Sequence, residues 1–106
     1  MPFVDLAELE EKEVAPGFHG KFAHGEKMTL SRWRIEEGAT LPEHAHPHEQ
    51  LSIIIEGKFE MRLDGETRRI EAGMAAVIPS NVKHSGTALT DCTILDIFHP
   101  VREEYR

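Results

Sequence analysis

The feature that most restricts how this chain can fold is the spacing of its turns between residues 51 and 98. Leu51 to Ile55 and Lys58 to Leu63 are two strand-like runs joined at Gly57, and Asp64-Gly65 stands between Leu63 and the run Glu66 to Ile70. An Asp-Gly pair flanked by alternating segments is a strong hairpin signal, because both of its positions need left-handed backbone. Glu71-Ala-Gly73 makes a second turn, Met74 to Ile78 a short apolar strand, and Pro79-Ser-Asn81 a third turn that leads to Val82-Lys-His84. Asp91 to Phe98 is a last strand, ended by Pro100. With turns between nearly all of these short strands and no helical period past residue 15, the chain is predicted to be an all-β barrel or sandwich.

Upstream, Met28 to Ile35 also alternates. Trp33 and Ile35 share one face with Thr29 and Ser31, Arg32 and Arg34 share the other with Met28 and Leu30, and the pattern leaves open which face points inward. Residues 1–27 are polar and broken by Pro16, Gly17, Gly20 and Gly25, and read as a flank that would pack on a partner subunit. Its acidic run, Glu8, Glu10, Glu11 and Glu13, suits a short helix, an edge strand or a solvated face. Residues 28–106 then form a single barrel domain, since 106 residues are enough for one core but not for a second domain.

Charge removes two classes of partner. Twelve Lys and Arg against nineteen Asp and Glu give a net charge of -7 with no basic stripe, so neither nucleic acid nor an anionic membrane is an expected partner. The start, Met-Pro-Phe-Val-Asp-Leu-Ala-Glu, has no basic and apolar leader, and no window approaches the roughly 18 apolar residues of a membrane span. A cytoplasmic protein is the expectation. Cys92 has no second cysteine to pair with and reads as inert packing in a buried strand.

The chemistry is concentrated in His44-Ala-His46-Pro-His48-Glu49-Gln50. In an extended chain, side chains at i and i+2 project from one face, so His44 and His46 can share an ion, whereas on a helix they would point apart. Neutral imidazoles suit zinc, iron, nickel or copper, and geometry and supply select among these more than raw affinity does. Pro47 disturbs the local alternation and places His48 at a mouth or on the surface.

The strand Asp91 to Phe98 carries Cys92, Ile94, Asp96 and Phe98 on one face and Thr93, Leu95 and Ile97 on the other. A strand apolar on both sides implies a barrel wall that is itself covered, hence a homodimer. Asp96 is the exception on that strand: a carboxylate among apolar neighbours must be paired, bound to a ligand, or raised in pKa.

With these residues in place, the chain resembles the cupins. Gly38, five residues, His44-x-His46, three residues, Gln50, six residues and Gly57 follow their first motif, with Gln50 where most members have Glu. Gly73, five residues, Pro79 and then His84 follow the second, with Asn81 where glycine is usual and Ala88 where Asn is frequent. The resemblance covers about residues 28–98 and implies a jelly-roll-like β-barrel with one divalent ion, zinc, nickel, manganese or iron, held by His44, His46, Gln50 and His84. Parity with His44 and His46 also favours Gln50 over Glu49. Three imidazoles and an amide leave the full charge on the ion, which favours Lewis-acid chemistry over support of oxidised iron.

Among small cupins, the His-x-His-Pro-His-x-Gln run and the tail Asp96-Ile-Phe98-His-Pro100-Val-Arg102-Glu103 resemble the KdgF-type pectin-degradation proteins. That resemblance implies ring-opening ketonisation of 4,5-unsaturated monouronates, with Asp96 and Arg102 in catalysis, Phe98 lining the site and Arg102 binding the uronate carboxylate. A non-haem metal dioxygenase acting on a small molecule and a non-catalytic sugar- or metabolite-binding module remain as alternatives. Plainer readings also stand: Asp96 as a structural ion pair, Arg102 as an exposed terminal charge, and Phe98 and Trp33 as core.

Overall fold

The computed structural model describes residues 3–106, so Met1 and Pro2 of the predicted flank lie outside the described residues. The fold is all-β, as the turn spacing requires. Among the described residues, ten strands form two antiparallel sheets: β1 (Lys12–Ala15), β2 (Phe18–His24), β3 (Thr29–Ile35), β4 (Thr40–His44), β5 (Glu49–Glu56), β6 (Lys58–Leu63), β7 (Glu66–Glu71), β8 (Ala75–Ile78), β9 (His84–Ala88) and β10 (Cys92–His99). The larger sheet runs β1-β2-β3-β10-β5-β8 and the smaller β4-β9-β6-β7. Short 3₁₀ turns cover Leu6–Glu8 and Glu103–Tyr105, and among the described residues no helix is long and apolar enough to cross a membrane.

The turns behave as their residues demand. Asp64 and Gly65 both have positive φ, 49° and 82°, and close the β6–β7 hairpin with Leu63 opposite Glu66. Gly57 has φ 91° at the β5–β6 junction, where a Cβ would collide with the Asp91 carbonyl, so conformation and contact both call for glycine there.

Inward faces of the two sheets meet in a core that includes Phe18, Trp33, Ile35, Ile54, Phe59, Met61 and Ile78. Ile54 and Ile78 are only 1% and 0% exposed, and truncating either to Ala should cost about 2–5 kcal/mol. On β3, Thr29, Ser31, Trp33 and Ile35 are buried, which settles the face that pattern left open. β10 lies between β3 and β5 and buries Cys92, Ile94, Asp96 and Phe98 inward.

The structure moves the expected boundary at residue 28. β2 pairs with β3 along its whole length, from Phe18 opposite Ile35 to His24 opposite Thr29, and Phe18 enters the core. The glycines that suggested a loose flank have structural work within the sheet: Gly17, at φ 80°, turns β1 into β2, and Gly20 leaves room for the Trp33 ring. Of the acidic run, Glu8 falls in the first 3₁₀ turn and Glu13 on edge strand β1, while Glu11 pairs with Arg34 at 2.7 Å.

Candidate metal centre

β4 ends at His44 and β9 begins at His84, and the sheet register sets these two residues opposite each other. His46 follows in the bend between β4 and β5. Its carbonyl accepts the backbone N–H of Asn81 at 2.8 Å, and Asn81 makes that contact from a left-handed conformation, φ 65°. Asparagine enters this region more readily than most residues, which explains how it replaces the usual glycine. The three rings come together, with centroids 4.2 Å apart for His44 and His84, 4.9 Å for His46 and His84, and 5.8 Å for His44 and His46.

All three imidazoles are oriented in the same manner. Nδ1 of His44 donates to the Pro42 carbonyl at 2.9 Å, Nδ1 of His46 to the His48 carbonyl at 3.0 Å, and Nδ1 of His84 to the Val82 carbonyl at 2.9 Å. A carbonyl only accepts, so each Nδ1 carries the proton and each neutral ring is left with a lone pair on Nε2. Burial pushes His46 down to about 4, with Arg102 and His84 nearby adding to the shift, and burial lowers His84 as well. Both rings are therefore neutral at pH 7, the form that binds metal. A nitrogen from each of the three rings lies within 4.8 Å of the other two, and the buried Nε2 of His84 has no hydrogen-bond partner among the described residues.

Gln50 belongs to this cluster and Glu49 does not. Gln50 is buried, with its Oε1 3.0 Å from Nε2 of His46, while Glu49 is exposed. Two acceptor atoms facing each other at that distance repel unless a cation lies between them. The converging lone pairs and the orphaned His84 nitrogen thus fit a metal ion held by three imidazoles and an amide oxygen.

The other end of the cavity holds the tail residues. Asp96 is 8% exposed and accepts the Ser52 hydroxyl at 2.5 Å. Burial raises its pKa to about 6, against the opposing effects of Ser52, Gln50, the Trp33 indole and Arg102. Arg102 is buried, not an exposed terminal charge. Its guanidinium lies over the rings of Phe98 and Tyr105, 4.7 and 4.6 Å from their centroids. Nη2 bonds Glu104 at 3.0 Å, and Nε has no partner among the described residues. Phe98 is 2% exposed and lines the same cavity as Asp96, Arg102 and the three ligand-like histidines. His48 is half-buried, its Nε2 3.3 Å from the Val101 carbonyl.

Trp33, weighed from the sequence as core against a sugar-stacking platform, is both buried and part of the cavity lining. Sequence reasoning missed two contributors. Tyr105 lines the cavity and stacks on Phe22 at 4.5 Å. Ser52 joins Gln50 to Asp96. Only Ser52 had a usable signal: it shares the strand face of Gln50 within an otherwise apolar run.

The cupin domain profile matches residues 31–98. The chain belongs to the cupin family. Curated relatives of this cupin include polyketide synthase CurC of Streptomyces cyaneus, 33% identical over 66 residues, 61% of this chain and 43% of that protein. The pectin degradation protein KdgF of Dickeya dadantii is 31% identical over 71 residues, 65% of this chain and 64% of that protein. The matches thus span less than two thirds of either curated relative. Among solved structures, KdgF from Halomonas superposes with a TM-score of 0.93 at 31% identity, covering 100% of this chain and 99% of that one. An RmlC-like cupin from Shewanella frigidimarina gives a TM-score of 0.95 at 25% identity, covering 100% and 96%. This cupin is therefore similar in structure to the Halomonas KdgF over its full length, tail included.

Proposed function

We propose that this cupin is a metal-dependent isomerase that opens and ketonises 4,5-unsaturated monouronates. The observation that carries this reading is the placement of Asp96 and Arg102 in one cavity with the His44, His46, His84 and Gln50 cluster; the similarity to KdgF supports the substrate class.

His44, His46, His84 and Gln50 would hold a divalent ion, which would supply Lewis-acid polarisation of substrate oxygens. Arg102, braced between two aromatic rings and with Nε unpartnered among the described residues, holds the uronate carboxylate. Asp96 takes the proton of the anomeric hydroxyl as the bond between C1 and the ring oxygen breaks, leaving an aldehyde at C1 and an enolate at C5. It then delivers that same proton to C4 as the C5 enolate oxygen becomes the carbonyl, which gives the 5-keto acid. Atoms and electrons balance without an oxidant. A carboxylate that titrates at about 6 can both accept and return a proton near neutrality.

The working unit in this reading is a cytoplasmic homodimer. On the outward face of the larger sheet, Leu51, Ile55 and Val77 are 39%, 49% and 57% exposed, an apolar surface that a second copy would cover. A single 12.0 kDa species in sedimentation velocity would break the dimer reading. For the reaction, zinc-loaded protein is mixed with 4,5-unsaturated galacturonate and the ultraviolet absorbance of the ring double bond is followed. The absorbance should vanish faster than it does spontaneously, and an unchanged rate would sink the proposal.

A further inference from the structure

Three of the four residues gathered at the metal centre have their orientation fixed by backbone. The Nδ1–H of each histidine is spent on a carbonyl, which leaves Nε2 as its only free acceptor. Gln50 has no such restraint from the backbone. Its amide has two similar ends, and only the carbonyl oxygen can serve as a ligand, because the NH₂ end has no available lone pair.

The restraint on Gln50 comes from Ser52. Nε2 of Gln50 donates to the Ser52 hydroxyl at 2.9 Å, and that hydroxyl donates to Oδ1 of Asp96 at 2.5 Å. Ser52 lies two residues after Gln50 on the inward face of β5, is 2% exposed, and stands opposite Asp96 in the β5–β10 register. A hydroxyl has one proton. Once that proton points at the carboxylate, Ser52 can show Gln50 only lone pairs. A flipped amide would then set its oxygen against the Ser52 oxygen and turn its NH₂ group toward the imidazoles. The chain of donors therefore has a single consistent direction, from Gln50 to Ser52 to Asp96, and that direction aims the amide oxygen at His46.

We propose that Ser52 is a positioning residue of the metal centre, fixing Gln50 so that its carbonyl oxygen, and not its amide nitrogen, faces the ion. The proposal rests on the metal-binding part of the reading above and is independent of the substrate. It also explains why a serine occupies the middle of an apolar strand, where a buried hydroxyl without good partners would be unfavourable.

The test uses a substitution that makes amide orientation irrelevant. In Gln50→Glu both side-chain oxygens can bind metal, so a residue that only orients an amide has nothing left to do. Zinc affinity is measured by competition with a chromophoric chelator in four proteins: unaltered, Ser52→Ala, Gln50→Glu, and the double variant. Ser52→Ala alone should weaken zinc binding by about ten-fold, within the range seen for partners that orient metal ligands. Adding Ser52→Ala to Gln50→Glu should weaken it by less than about two-fold, by the same argument. The visible spectrum of the cobalt-loaded protein should change on Ser52→Ala only when residue 50 is glutamine. Equal losses in both backgrounds, or no loss in either, would overturn the assignment. Circular dichroism melts accompany each variant, and if Ser52→Ala does not fold, the near-isosteric Ser52→Cys, a poor donor, is read by the same criterion. Since no substrate is present, absence of uronate turnover would sink the ketonisation reading while leaving this one standing. Failure of the unaltered protein to bind zinc, nickel or manganese would remove the metal centre and this proposal with it.

Discussion

His44, His46 and His84 are each oriented by a carbonyl two residues away, whereas Asp96, Arg102 and Tyr105 are held by Ser52, Thr29 and His24, which lie 44, 73 and 81 residues away in the chain. One end of the cavity is thus set largely by local backbone and the other by tertiary contacts. The two ends should respond differently to distant substitutions. Damage to the tail should spare metal binding, while loss of a ligand should remove metal and turnover together.

The largest effect is expected from His84→Ala. It deletes a buried nitrogen that has no other partner among the described residues, so desalted protein should retain almost no zinc by elemental analysis and should show no ketonisation. Full zinc retention in this variant would break the comparison at its local end. Asp96→Asn should lower turnover by about 10²–10⁴-fold with zinc content unchanged, because an asparagine oxygen can still accept from Ser52. Loss of folding in parallel with activity would instead make Asp96 a structural group.

A smaller effect tests the tertiary end. Nδ1 of His24 contacts Thr29 Oγ1 at 2.9 Å and its Nε2 contacts the Tyr105 carbonyl at 3.1 Å, while Thr29 Oγ1 also accepts the backbone N–H of Arg102 at 2.9 Å. The Thr29 proton is then free for Nδ1 of His24, and Nε2–H holds the tail. His24→Ala should raise KM for the uronate by about two- to ten-fold, the value of a hydrogen bond, without altering zinc affinity. A shift in zinc affinity of the same size would show that the two ends are not separate.

The smallest effect is in the pH dependence of stability without metal. Asp96 titrates at about 6 in the fold against an ordinary 3.8, so the native state holds a proton that the unfolded chain has released, and raising pH from about 4 to 6 destabilises the fold through this group. His46 titrates at about 4 against an ordinary 6.5, so over pH 4 to 6.5 raising pH stabilises the fold through that ring. The two contributions oppose each other. In Asp96→Asn the histidine contribution is unopposed, and urea midpoints of chelator-treated protein should climb more steeply between pH 4 and 6.5 than in the unaltered chain. Identical slopes would refute this account of Asp96.

Much of the site could be read from the chain because its grammar is local. Histidines at i and i+2, glycines where φ turns positive, and Asp64-Gly65 at a hairpin each depend on neighbours a few residues away. The parity of Gln50 with the histidines predicted its side of β5, and its burial agrees. Alternation along β3 showed two faces but could not choose between them, because Thr29 and Ser31 look polar until Arg102 and β10 are seen packed beside them. Residues 12–24 looked like a flank for a similar reason: Gly20 makes sense only once the Trp33 ring lies against it.

By itself, then, the sequence determined an all-β fold and a histidine cluster, since hairpins, glycine conformations and strand parity are short-range properties, and its two motifs carried the resemblance to cupins. Only the tertiary structure decided that β1 and β2 complete the larger sheet, that Arg102 is buried between two aromatic rings, and that Ser52 links Gln50 to Asp96. Each of these depends on which strands become neighbours, and strand order is set by packing the whole core, not by any one segment of the chain.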